Sequence, residues 1–96
     1  ALIQFVPTHK RAWHAGISSH KGKENCNDFS IGIELEGCDD EEFEKEQYQS
    51  LSRLINFLSI DLKINKQNIV GHADIAPGRK TDPGPLFDWT LLQSML

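Results

Sequence analysis

Between Gly71 and Pro85 the chain reads GHADIAPGRKTDPGP, and this stretch limits the possible fold more than any other. Three prolines and three glycines fall within fifteen residues, so neither a long helix nor a regular strand can run through it. Proline fixes φ, and glycine reaches backbone shapes that other residues resist. The β-branched pair Ile69-Val70 comes just before. The chain is therefore expected to leave a buried strand at Ile69–Gly71 and enter a rigid loop, which can hold side chains at set positions without a helix beneath them. His72 and Asp82 are candidate ligands for one metal ion, with Lys80 beside them as an electrostatic catalyst. The same residues also describe a surface loop whose polar side chains make turns, and their spacing leaves both readings open.

A second segment, Phe29 to Glu36, has a period of two. Ile31, Ile33 and Leu35 alternate with Ser30, Gly32, Glu34 and Glu36. Such a strand can floor a polar cleft, with glycine marking the close approach of a ligand or another backbone. Glu34, partly desolvated there, would have its pKa raised toward that of a general base. An antiparallel strand with one solvated face carries the same pattern. Upstream, Leu2 to Val6 reads as a strand stopped by Pro7, followed by Arg11-Ala12-Trp13-His14-Ala15-Gly16 and a polar loop from Ser18 to Asp28. Trp13 can floor a ligand site or cover the edge of the core.

From about Glu44 to Leu62 apolar residues recur at spacings of three and four: Tyr48, Leu51, Ile55, Leu58 and Leu62, with Leu54 and Phe57 widening the stripe. An amphipathic helix packed on a sheet is expected. The acidic run Cys38 to Glu46 suits the positive end of that helix. Asp88 is the expected N-cap of a short closing helix containing Trp89, Leu91, Leu92 and Met95.

Ninety-six residues make one domain. A formal charge of −4 argues against a general nucleic-acid binder. No apolar run approaches the roughly 20 residues that span a bilayer. Two cysteines, Cys26 and Cys38, are too few for a disulfide framework and are read as free thiols of a reducing compartment. The chain opens in strand-like sequence without Met, so a fragment or processed product is expected.

Taken together, Trp13-His14-Ala15-Gly16, then Asn27 through Gly37 (NDFSIGIELEG), then GHADIAPGRKTDPGP with Phe87-Asp88-Trp89, resemble the zinc-dependent N-acetylmuramoyl-L-alanine amidases. The likeness is greatest to the cytoplasmic branch that acts on 1,6-anhydro-muropeptides in cell-wall recycling. It implies an α/β fold, a mixed β-sheet flanked by helices and shared with peptidoglycan-recognition proteins. The family's N-terminal segment is expected to be lacking, residues 1–96 being the C-terminal portion of a single amidase domain. The implied reaction is hydrolysis of the amide between the muramoyl lactyl group and L-Ala of a muropeptide, in the cytoplasm, without nucleic-acid or membrane partners.

By position in the motifs, the resemblance makes His72 and Asp82 two of three protein ligands of Zn2+. It makes Glu34 the residue that activates water, Lys80 the cation beside the oxyanion, and Trp13 and Arg79 substrate contacts. The family's third ligand is a histidine from a strand that would precede Ala1; His9, His14 and His20 lie outside that motif. Two ligands hold zinc less firmly than three. The chain alone is therefore expected to bind zinc weakly and to be inactive as a fragment. Two other readings are a non-catalytic muropeptide-binding module and a structural fragment whose missing edge a partner or second copy supplies.

Overall fold

The computed structural model describes residues 2–96, and its longest element, helix α1 (Lys45–Leu62), carries the core. Its start is fixed by side chains of its own first turn: the Glu44 amide donates to Gln47 Oε1 at 2.7 Å. Gln47 Nε2 in turn donates to the Glu36 carbonyl at 2.7 Å, tying the helix start to the end of the preceding extended segment. Tyr48, Leu51 and Ile55 are buried on one face. Phe57, expected to widen that stripe, is 66% exposed. It stands two residues from Ile55, about 200° around the helix, and therefore faces water.

A closing helix, α3 (Trp89–Met95), packs on α1. Asp88 caps it as expected, accepting from the Leu91 amide at 2.9 Å. The Asp88 amide donates to the Tyr48 hydroxyl at 2.8 Å, which pins the start of α3 to α1. Tyr48, Leu51, Ile55, Phe87 and Leu92 form the core cluster, with Leu35, Phe43, Ile69 and Trp89 packed around it.

Strands are fewer than the alternation suggests. Among the described residues the sheet consists of one antiparallel pair, β1 (Ser19–His20) and β2 (Lys23–Glu24), inside the stretch expected to be a polar loop. Lys21 and Gly22 both have positive φ, as a two-residue hairpin turn requires. Leu2 to Val6, Phe29 to Glu36 and Ile69 to Gly71 form no ladder with any described segment. Alternation sets which way side chains point, whereas a strand also needs a neighbouring backbone to pair with. Leu2 and Phe5 are accordingly 77% and 86% exposed.

In the unpaired segment 29–36 the facing rule holds only in part, because Ile31 and Ile33 are 37% and 39% exposed rather than packed on the core. Leu35 packs on the core, while Ser30 and Gly32 both face His14. The rigid loop after Gly71 begins with a single helical turn, α2 (His72–Ile75). A Cβ on Gly71 would lie 2.8 Å from Pro83 Cδ and 3.2 Å from Trp89 Cζ2. Only glycine therefore lets the two ends of the loop close against the core at that point.

Candidate active site

Backbone hydrogen bonds knit the loop from Gly71 to Gly84 into one unit. The Ala73 amide donates to the Asp82 carbonyl at 2.9 Å, bringing positions 72 and 82 together. The Gly71 amide donates to Asp74 Oδ2 at 2.8 Å. Ala76 O receives both the Arg79 and Lys80 amides, at 3.1 and 3.0 Å. Thr81 Oγ1 reaches the Asp39 carboxylate and anchors the far side.

His72 and Asp82 thereby meet. Nδ1 of His72 lies 3.1 Å from Asp82 Oδ2, and Nε2 lies 2.9 Å from the Ala15 carbonyl oxygen. A carbonyl only accepts, so Nε2 carries a proton, and an Nδ1 that carries none presents its lone pair toward Asp82. Two acceptors 3.1 Å apart repel unless a cation or a proton lies between them. A neutral imidazole oriented through its other nitrogen and paired with a carboxylate is a donor set that suits zinc. The residues present fit the metal. Among the described residues no third His, Cys, Asp or Glu joins this pair; the grouping of three is Cys38, Asp40 and Glu41, exposed on a separate turn.

Glu34, His72, Asp82 and His14 line one cavity of about 840 Å³. Glu34 follows Ser30 and Gly32 along the segment and is exposed, so its carboxylate is open to solvent rather than partly desolvated as the alternation suggested. Lys80 is also exposed and does not line that cavity. Trp13 is 83% exposed, which removes the option that it covers the core edge. The Arg11 guanidinium lies 3.9 Å from its ring centroid and also pairs with Asp28 at 2.5 Å. The Arg79 guanidinium is engaged with backbone, donating to Ala15 O at 2.6 Å and Ile17 O at 2.8 Å.

Two residues that sequence reasoning did not single out shape the site. Asn27 is buried, and its Oδ1 accepts from the amides of His14 (3.0 Å) and Ala15 (2.7 Å). Its signal in the sequence is one amide inside a polar run, which no spacing distinguishes. His14 is the second. Its Nε2 is 2.7 Å from Ser30 Oγ, and a Cβ on Gly32 would come within 2.6–2.7 Å of its side chain. The glycine at the middle of the segment thus makes room for an imidazole of this chain rather than for a ligand.

Burial holds the pKa of His14 below the usual histidine value, with the Ala12 carbonyl opposing and the Arg11 charge, joined by His72 when that ring is protonated, acting the same way as burial. A lowered folded pKa means the unfolded chain takes up a proton first as pH falls. The stability owed to neutral His14 is present above pH ~6.5 and is lost as pH drops from there through the folded value. Thermal melts of wild type and His14→Gln across pH 5 to 8 are expected to show a shallower acid-side loss in the variant. Parallel curves would sink the assignment.

A family model described as N-acetylmuramoyl-L-alanine amidase matches residues 1–85. The 1,6-anhydro-N-acetylmuramyl-L-alanine amidase AmpD of Citrobacter freundii is 52% identical over 95 residues, covering 99% of this chain and 51% of that protein. A crystal structure of a Se-Met AmpD derivative superposes with a TM-score of 0.94 at 52% identity, over 98% of this chain and 52% of the other. The Escherichia coli amidase AmiD, in complex with anhydro-N-acetylmuramic acid-L-Ala-D-gamma-Glu-L-Lys, gives a TM-score of 0.92 at 44% identity, over 97% and 40%. The chain spans about half the length of the curated relatives it matches.

Proposed function

The chain belongs to the N-acetylmuramoyl-L-alanine amidase family, and from that premise we propose that it carries the catalytic half-site for hydrolysing the amide between (1,6-anhydro-)N-acetylmuramoyl and L-Ala in muropeptides. The single observation that carries this reading is the His72–Asp82 pair, two metal-type acceptors held 3.1 Å apart beside the cavity that Glu34 lines. His72 Nδ1 and Asp82 Oδ2 would hold Zn2+, and residues 1–96 act as the C-terminal portion of one amidase domain.

Zinc, when bound, supplies a Lewis acid that polarises the scissile carbonyl and lowers the pKa of water. Glu34 accepts the proton of the attacking water and delivers it to the departing amine of L-Ala, so a poor leaving group leaves neutral. Lys80 offers a positive charge to the oxygen on which negative charge develops, an effect that in other sites reaches about 3 kcal/mol. Trp13 presents an exposed ring to a sugar or stem peptide. Of the two substrate-contact candidates it has the freer surface, because Arg79 is engaged with carbonyls.

No helix of the described residues is long and apolar enough to cross a membrane. Cys26 and Cys38 are unpaired, which suits the reducing cytoplasm.

The test is mass spectrometry of 1,6-anhydro-N-acetylmuramoyl-tripeptide incubated with zinc and with residues 1–96 joined to an N-terminal segment that carries the family's third histidine ligand, beside the 96-residue chain alone and a chelated control. Release of a free tripeptide with N-terminal L-Ala by the joined chain, abolished by the chelator, is expected, with slow or no release by residues 1–96 alone. Retention of intact muropeptide on the protein with no release would favour a binding module. Neither release nor retention would overturn both.

A further inference from the structure

One acceptor in this site serves two donors. The Ala15 carbonyl takes His72 Nε2 at 2.9 Å and Arg79 Nη2 at 2.6 Å, using both of its lone pairs. Arg79 then spans Gly16 to the next free carbonyl, donating to Ile17 O from Nε at 3.2 Å and from Nη2 at 2.8 Å. On the other side of the same residue, Asn27 Oδ1 holds the Ala15 amide at 2.7 Å. Gly16 makes the close approach possible. Its φ is +67°, and a Cβ there would lie 2.9 Å from Nη2 and 3.3 Å from Nη1 of the guanidinium.

We propose that Arg79 is a positioning residue for the metal ligand: by clamping the Ala15 and Ile17 carbonyls it holds the acceptor that keeps His72 in the Nε2–H form with Nδ1 turned toward Asp82. This rests on the reading of His72 and Asp82 as ligands. The direction of the Ala15 carbonyl depends on the torsions on either side of the Ala15–Gly16 peptide, and glycine resists rotation least of all residues. Without the clamp that peptide can swing, His72 Nε2 loses its fixed partner, and the proton is free to occupy either ring nitrogen. A ring protonated at Nδ1 cannot bind a metal through that atom. Outer partners that set the tautomer of a ligating histidine change metal affinity by roughly 10–100-fold in other proteins. Lysine cannot replace the clamp fully, because its ammonium is a point donor and lacks the planar fork that reaches two carbonyls.

The experiment uses the 96-residue chain labelled with 15N-histidine, wild type beside Arg79→Ala, Arg79→Lys and His72→Ala. Long-range 1H–15N correlation with Zn2+ bound reads which ring nitrogen of His72 carries the proton, and Zn2+ titration calorimetry reads affinity. Wild type is expected to show His72 as the Nε2–H form; Arg79→Ala shows a mixture and binds zinc about 10–100-fold more weakly, and Arg79→Lys falls between. Melting temperature is followed in parallel: a merely structural clamp would lower it in both variants while leaving the tautomer unchanged. Should Arg79→Ala not fold, Arg79→Lys carries the same two readouts. An unchanged tautomer with zinc affinity within twofold of wild type in the folded variant overturns the proposal. Wild-type zinc affinity in His72→Ala overturns instead the ligand reading on which it rests.

Discussion

Glu34→Ala is expected to lower the rate of L-alanyl amide hydrolysis by about 10²–10⁴-fold, the usual contribution of a positioned general acid–base. The carboxylate is the group proposed both to take the proton from water and to return it to the amine, so its loss affects both halves of the reaction. The variant is informative because Glu34 is exposed and is not one of the core residues. Its removal should leave the melting temperature and zinc affinity at wild-type values. The measurement is the rate of free tripeptide release at matched zinc and substrate concentrations. Glu34→Gln, which keeps the shape and removes the basicity, should fall as far as alanine. Equal rates in all three proteins would show that water is activated by some other group.

The second large effect concerns the support behind the site. Phe87 is 7% exposed and meets three aromatic rings: Trp89 at 4.7 Å, Tyr48 at 5.3 Å and Phe43 at 5.6 Å between centroids. Truncating a buried phenylalanine to alanine removes its burial and leaves a cavity, together costing roughly 3–5 kcal/mol. A domain of this size has about 5–15 kcal/mol of total stability. Phe87→Ala is therefore expected to remove a large share of it. The consequence reaches the metal pair, because the Trp89 indole packed on Phe87 also lies behind Gly71, the residue before His72. Urea unfolding should show a midpoint shifted well down, and Zn2+ affinity should fall with it. A change below about 1 kcal/mol would mean the aromatic cluster has relaxed around the gap.

Much of the site was legible in the sequence because its parts are local. The Pro- and Gly-dense loop carries both His72 and Asp82, and short-range backbone bonds such as Ala73 N–H to Asp82 O bring them together. Helix α1 and the Asp88 cap were readable for the same reason: a 3.6-residue period and a capping residue need only neighbours in sequence. The alternation in Phe29–Glu36 gave the facing of Ser30, Gly32 and Leu35 correctly.

What sequence could not supply was pairing across distance. Three segments with strand-like patterns have no ladder among the described residues, since pairing belongs to two backbones and a pattern belongs to one. The tertiary structure alone decided that Gly32 accommodates His14, that buried Asn27 holds the amides of His14 and Ala15, and that Arg79 bonds to main-chain carbonyls 62 and 64 residues away. Composition and period reveal which side chains can do chemistry. Which atom of His72 is free to do it is set by a carbonyl at Ala15, 57 residues earlier in the chain, and only folding brings that oxygen within 2.9 Å.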